Sequence, residues 1–425
     1  MTNAHTDLAP AWTTSIPRHW CWMRNKELLF EAQTLSKDGS EELLSVSHLT
    51  GVGPRSEKNV TMTEAESLEG YRVVEQGDLV INTMWAWMGA LGVARHAGIV
   101  SPAYGVYRPR PSAPFGLRFF DYLYRSTEYV MEMTRVSRGI WSSRLRLYPE
   151  VFLRMAVPVP PLEEQRAIAD YLDRETARID TLIEEQQRLI EMLRERRSAM
   201  ITQVATRGLD DAPLIDSGNI YLGDVPAHWK VSRFSREMSV NGGQVDPRDN
   251  PWADMVLVAP NHIESGTGRI IGRETARAQG ADSGKYLASA GQILYSKIRP
   301  ALNKVTVATE DCLTSADMYA MSSTHGDDHR YLMYFMLARP FHAFVTLASL
   351  RVKMPKVNRE ELGEAPFLLP PVEEQRRIRA YLDDQTEKID ALITEAVRLI
   401  ELSHERRSAL ITAAVTGQVD VRKVV

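Results

Sequence analysis

Apolar residues recur at three- and four-residue steps along residues 162–207: Ile168, Leu172, Ile179, Leu182, Ile183, Leu189, Ile190 and Leu193. Glu, Arg, Asp and Gln fill the positions between them, and no Pro or Gly interrupts the run. This spacing predicts one long amphipathic helix with a wet outer face. Most steps fit a heptad, with Leu172, Ile179, Gln186, Leu193 and Met200 on one seam. The pattern returns 210 residues later as Ile378, Leu382, Ile389, Leu392, Ile393, Leu399 and Ile400. Residues 160–206 and 370–416 align without gaps, with 28 identities in 47 positions. At about 1.5 Å per residue such a helix reaches roughly 66 Å, more than one small core covers. Its seam needs a partner, and the other copy is tethered to it. Antiparallel pairing of the two helices, with one variable block at each end, is therefore expected. Two amphipathic helices that each pack only on their own domain are the alternative.

A Pro-Pro pair precedes each helix (Pro160–Pro161, Pro370–Pro371), and Glu163, Glu164, Glu373 and Glu374 fall in the first turns. Proline is preorganised for a helix start and carboxylates favour the positive end of the helix dipole, so capping accounts for these residues without catalysis. Weaker echoes precede each helix: SIPRHW (15–20) with DVPAHW (224–229), EQGDLVIN (75–82) with SAGQILYS (289–296), and IVSPAYGVY (99–107) with CLTSADMYA (312–320). MVLVAP (255–260) and KVTVAT (304–309) predict strands, whereas residues 120–134 and 329–345 predict helices. The expected fold is mixed α/β with internal pseudo-twofold symmetry. Its expected boundaries are a first variable domain over 1–159, a helix over 160–209, a second variable domain over 210–369, and a helix with its tail over 370–425.

Composition changes this picture little. The 425 residues are 44% hydrophobic and 25% charged, which is ordinary for a globular chain of two or three domains. Two cysteines, Cys21 and Cys312, are too few for a disulfide framework and fit a reducing cytoplasm. MTNAHTDLAPAW has no basic start followed by an apolar run, so no signal peptide is expected, and no apolar stretch is long enough to span a membrane.

Charge distribution changes it more. The net charge is −4, so any nucleic-acid surface must be local. Acids number 55 of 425, yet none occurs in residues 79–120, 133–149, 283–309 or 329–359. These gaps fall at corresponding places in the two halves. They carry Arg95, Arg108, Arg135, Arg138, Arg144 and Arg146 in the first half. In the second they carry Lys297, Arg299, Lys304, Arg351, Lys353 and Lys356. A polyanion selects for cations and against carboxylates on the surface that meets it, so these twelve residues are the candidate DNA contacts.

Enzyme signatures are missing. There is no GxxxxGK[ST], HExxH, CxxC or GxSxG. DNPW (249–252) falls short of the NPPY/F/W signature of amino-methyltransferases, having one proline and no Gly-rich cofactor loop, and reads as a turn. GTGRIIG (266–272) has no clear strand-to-helix context.

With the PPLEEQ and PPVEEQ helix blocks, the paired PxHW segments and the GDLV/GQIL segments in view, the chain resembles the DNA-specificity subunit of type I restriction-modification systems over essentially its whole length. The resemblance implies two target recognition domains, each reading one half of a split, asymmetric DNA site, and two antiparallel helices acting as a ruler. It implies no catalysis and no cofactor in this chain. Two modification subunits with S-adenosylmethionine would methylate adenine, and restriction subunits would bring ATP and Mg. The repeated helices would then offer equivalent surfaces to two identical methylases. Exposed cations shared by both copies are candidates for that contact: Arg166, Arg188, Arg196 and Arg197, matched by Arg376, Arg398, Arg406 and Arg407. A non-catalytic coiled-coil scaffold with two protein-binding heads is the competing reading.

Overall fold

The computed structural model describes residues 16–57, 67–139, 145–240, 242–350 and 355–423. The chain divides into two compact units, residues 1–185 with 398–425 and residues 186–397. The division falls inside both long helices, Leu162–Arg207 and Val372–Val415.

In the first unit an antiparallel sheet runs in the order Leu29–Glu31, Gly105–Pro109, Leu79–Ile81, Leu91–Val93. The helices Leu117–Arg125 and Thr127–Val136 follow in sequence. Strand Cys21–Arg24 then pairs with Ala156–Val159, which leads into the Pro-Pro pair. The core joins Ile81, Phe119, Phe120 and Tyr124 to Ile168 and Leu172 of the first long helix and Ala414 and Val415 of the second.

The second unit is built the same way. Its sheet runs Met238–Val240, Met318–Ser323, Ile293–Ser296, Val305–Val307. Helices His329–Leu337 and Arg339–Ser349 follow, and Lys230–Arg233 pairs with Pro366–Leu369. Its core joins Phe335, Phe341 and Phe367 to Ile201 and Val204 of the first long helix and Ile378 and Leu382 of the second. Burying side chains of this size stabilises by about 1.5–3 kcal/mol each, so both long helices are held by both cores. Beyond this shared frame the units differ. The second adds a four-stranded sheet containing Leu257–Val258 parallel to Cys312–Thr314. The first instead has the two-stranded pairs Leu44–Ser47 with Gly51–Pro54 and Arg72–Val74 with Gly98–Val100.

Some local expectations are corrected. Residues 120–134 and 329–345 do not form single helices, because each is broken by one extended residue, Ser126 (ψ 147°) or Ala338 (ψ 151°). Ser126 accepts a hydrogen bond from the Tyr129 amide and caps the next helix, while Pro340 lies in the first turn after the other break. MVLVAP shrinks to a strand over Leu257–Val258, and KVTVAT to Val305–Val307.

The long helices run antiparallel within each unit. In the first, Arg422 lies 3.8 Å from Glu164 and Arg407 lies 3.1 Å from Asp180. In the second, Arg377 meets Asp210 at 2.7 Å and Arg197 meets Asp390 at 2.9 Å. Numbers rise on one helix as they fall on the other, and the Arg407–Asp180 and Arg197–Asp390 pairs are the same positions 210 residues apart. Seam residues Leu172, Ile179 and Leu193 are buried as their spacing implies. Leu189, Leu392 and Leu399 are not, being 37%, 52% and 38% exposed. Their spacing is helical, but they lie outside the face turned toward the other helix.

Arg197 also departs from expectation. It is not on the wet face: its side chain is 5% exposed. The guanidinium donates to Asp390, to the Gly266 carbonyl (3.1 Å) and to the Thr267 carbonyl (2.8 Å). Its repeat mate Arg407 is 38% exposed, and the Nε close to Asp180 is not aligned as a hydrogen bond. Arg197→Ala should therefore destabilise by roughly 2–4 kcal/mol, since it strands a largely buried carboxylate. Arg407→Ala should cost at most about 1 kcal/mol, as for exposed pairs. Equal losses of the chemical-denaturation midpoint in the two variants would contradict this.

Candidate nucleic-acid interface

The start of each long helix fixes how its domain is held. Glu164 accepts from His19 (2.7 Å), and Glu374 accepts from His228 (2.9 Å) and the Trp229 indole (3.2 Å). Gln165 is fully buried; its amide oxygen accepts from the Gly116 amide and its nitrogen donates to the carbonyls of Pro114 and Pro160. Gln375 repeats this, accepting from the Asp328 amide and donating to the Asp327 carboxylate and the Pro370 carbonyl. The EEQ of each repeat thus does more than cap a helix, since it ties the PxHW segment and the following helix pair to the frame. Capping explained the glutamates from sequence but not the glutamines, whose repetition at identical offsets was the signal.

Two turns on, Tyr122 donates to Asp173 (2.8 Å) and Tyr334 to Asp383 (2.8 Å). Burial raises both phenols to about 12, which keeps them protonated as donors. Arg118 joins Asp170 and Asp173, and Arg330 joins Asp383. A cleft of about 1200 Å³ opens beside this cluster in the first unit and one of about 890 Å³ in the second.

These ion pairs narrow the basic surface. Arg108, from an acid-free stretch, is bidentate to Asp78, whose side chain is 1% exposed, and also meets Glu75. Arg135 is held by Glu132 at 2.6 and 2.8 Å. The Lys304 ammonium donates to the Pro260 carbonyl at 2.6 Å. A gap in acids along the chain is therefore not a gap in space. Arg144, Arg351 and Lys353 lie outside the described residues.

What remains gathers around one hairpin loop in each unit. In the first, the loop over residues 82–90 joins strands Leu79–Ile81 and Leu91–Val93. The Leu147 amide donates to its Thr83 carbonyl (3.0 Å), and Arg146 and Arg138 exchange backbone hydrogen bonds alongside (2.9 and 3.0 Å). Both arginines are exposed, and Arg146 lies over the Tyr148 ring at 5.8 Å. Exposed Arg95 lines the nearby cleft.

In the second unit the corresponding loop follows strand Ile293–Ser296. The Val357 amide donates to the Lys297 carbonyl (2.9 Å) and the Arg299 amide to the Pro355 carbonyl (2.8 Å), so Lys356 runs beside the loop. Lys297 and Arg359 both lie over the Tyr319 ring, at 5.4 and 5.9 Å. Arg299 is exposed. It and Asn303 bracket Pro300–Leu302 with left-handed backbone, φ 46° and 47°. A non-glycine residue held there costs about 1–3 kcal/mol, which the surrounding hydrogen bonds sustain. Arg359 ends the acid-free stretch 329–359 but was not among the twelve candidate contacts; its place over Tyr319 depends on a contact 40 residues away, which no local pattern marks.

On the long helices, Arg166, Arg188, Arg196, Arg376, Arg398 and Arg406 are exposed. Arg376 is paired with Glu373 one turn away.

Comparison with known proteins accords with this construction. The family model for the type I restriction modification DNA specificity domain matches residues 256–401. The specificity subunit of the EcoDI type I restriction enzyme of Escherichia coli is 32% identical over 265 residues, 59% of this chain and 58% of that protein. The MjaVIII specificity subunit of Methanocaldococcus jannaschii is 21% identical over 285 residues, 65% of this chain and 64% of that one. The match thus spans less than two thirds of either relative's length. Among solved structures, a chain from work on complex assembly and conformational transition of the type I R-M system superposes with TM-score 0.71 at 16% identity, covering 96% of this chain and 100% of that one. The HsdS subunit from Thermoanaerobacter tengcongensis gives 0.56 at 17% identity, covering 96% and 99%. These two likenesses carry the fold.

Arg108→Ala should lower stability by about 1–3 kcal/mol, because the buried Asp78 carboxylate loses its partner, while leaving retention on a heparin column nearly unchanged. Arg146→Ala should do the reverse. Thermal unfolding and the salt needed for elution separate the two; matching profiles would remove the distinction.

Proposed function

We propose that this chain, a homologue of the specificity subunits of type I restriction-modification systems, is the non-catalytic subunit that selects the DNA site. Each unit reads one half of a split, asymmetric target. The observation that carries this is the repetition of one construction, a hairpin loop beside a basic segment, on a repeated helical frame. In one unit it presents Arg138 and Arg146; in the other it presents Lys297, Arg299 and Lys356. Cations of this kind position a phosphate backbone, and arginine can also read guanine in the major groove. The frames match and the loops differ, so two different words on the DNA follow.

The chemistry belongs to partners. Two copies of a methylase subunit, with S-adenosylmethionine, dock on equivalent surfaces of the long helices, where Arg196 and Arg406 are exposed at matching positions. Restriction subunits contribute ATP and Mg, and the complex works in the cytoplasm. Among the described residues no group of three His, Cys, Asp or Glu is placed to hold a metal, and no helix is long and apolar enough to cross a membrane. A scaffold with two protein-binding heads would have no use for paired cationic loops.

Methylation mapping in a host expressing this chain with its neighbouring methylase should give one split, asymmetric adenine motif. Absence of any new motif from a folded, active complex would overturn the reading. Arg138→Ala with Arg146→Ala should blur one half-site, and Lys297→Ala with Arg299→Ala the other. Each double variant should make the salt dependence of binding shallower by up to about 1.8 in log–log slope, or about 0.9 for each phosphate no longer neutralised. Arg196→Glu with Arg406→Glu should weaken co-purification of the methylase without changing the unfolding midpoint.

A further inference from the structure

The hairpin loop of the first unit presents Met84, Trp85 and Met88, which are 45%, 50% and 37% exposed. Clustered exposed side chains of this size mark a contact surface. Their backbone is well tied. The Met84 amide donates to Asn82 Oδ1 (3.3 Å), the Trp87 indole to the Met84 carbonyl (3.0 Å), and Thr134 Oγ1 to the Trp87 carbonyl (3.2 Å). The Ala90 amide closes the loop on the Trp85 carbonyl (3.2 Å), over a fully buried Ala86. The apolar tip is thus held outward before any partner arrives, which lowers the ordering cost of binding.

Charge identifies the partner. Arg146 and Arg138 flank the loop through the Leu147–Thr83 hydrogen bond. The same place in the second unit carries Lys297 and Arg299. A partner that meets cations at this loop in both units is polyanionic. Apart from the Trp85 indole N–H, the three tip side chains have no hydrogen-bond donor, so they cannot read base edges by an array of hydrogen bonds. They can touch base faces. Resting on the DNA reading above, we propose that Met84 and Trp85 form an apolar wedge that enters the base stack of the half-site met by the first unit. Side chains of this kind partly unstack a step and kink the duplex, and the indole face replaces the stacking given up by the bases. Easily unstacked pyrimidine–purine steps would be favoured at that point. The first unit would then select partly by deformability and the second by charge and hydrogen bonding.

The test uses the full chain assembled with its methylase and a duplex carrying the mapped site. Trp85→Ala should weaken binding roughly 5- to 100-fold, as for removal of one base–aromatic stack, and Trp85→Phe should restore much of it. With 2-aminopurine scanned across both half-sites, the wild-type complex should raise the fluorescence at one step besides the target adenines that the methylase itself flips, and Trp85→Ala should abolish that additional rise. Unchanged affinity with no additional fluorescent step overturns the wedge. So does an effect of Trp85→Ala that vanishes when deoxyuridine replaces thymidine, which would make the contact one with thymine methyls. Loss of methylase co-purification in Trp85→Ala with DNA affinity intact would assign the tip to a protein partner, again overturning it. Failure of the wild-type complex to bind any specific site would overturn the DNA reading itself.

Discussion

The apolar seam of two very long helices is the constraint on which the rest of the structure depends. A 46-residue helix reaches about 69 Å and cannot fold back to cover its own stripe. The stripe is buried piecewise, by the other long helix and by a core from each unit. Ile168 and Leu172 enter one core, and Ile201 and Val204 of the same helix enter the other. Neither helix can leave either core without exposing fully buried side chains. The pairing register is held by Arg197, whose charge is answered by Asp390 and by two carbonyls of the 266–267 turn. A slip by one residue would leave that charge buried without a partner.

On this frame the chain separates what must be equal from what must differ. Glu164 with Gln165, and Glu374 with Gln375, hold each domain by the same polar contacts to the helix start. Tyr122 and Tyr334 repeat the attachment two turns on. Both sheets have the same strand order, so both hairpin loops emerge from the same place. The loops differ at their tips: one offers methionine and tryptophan beside a basic segment, the other carries lysine and arginine itself.

Much of this was legible in the chain alone. The two helices follow from a 3.6-residue rhythm unbroken over more than forty positions, and their pairing from the repeat that supplies a partner. Helicity, periodicity and repetition are local or self-referential properties, and a sequence displays them directly. The mixed α/β class and several strands were legible for the same reason. The extended residues Ser126 and Ala338 were not, because one residue between two helical runs barely disturbs the rhythm on either side.

Charge was the property that only tertiary structure could assign. Arg108 and Arg146 read alike in sequence, as arginines in acid-poor stretches. The fold brings Asp78 to the first across 30 residues and leaves the second on the surface beside a loop. Arg196 and Arg197 are neighbours in one repeated motif, yet one faces solvent and the other is sealed against Asp390 across 193 residues. The sequence by itself determined the frame: two long helices, two α/β blocks, and the repetition that relates them. Tertiary structure decided which cations are paired within the fold and which stay exposed. Whether a charge is free depends on a carboxylate or carbonyl brought near by folding, at a distance along the chain that no local pattern records.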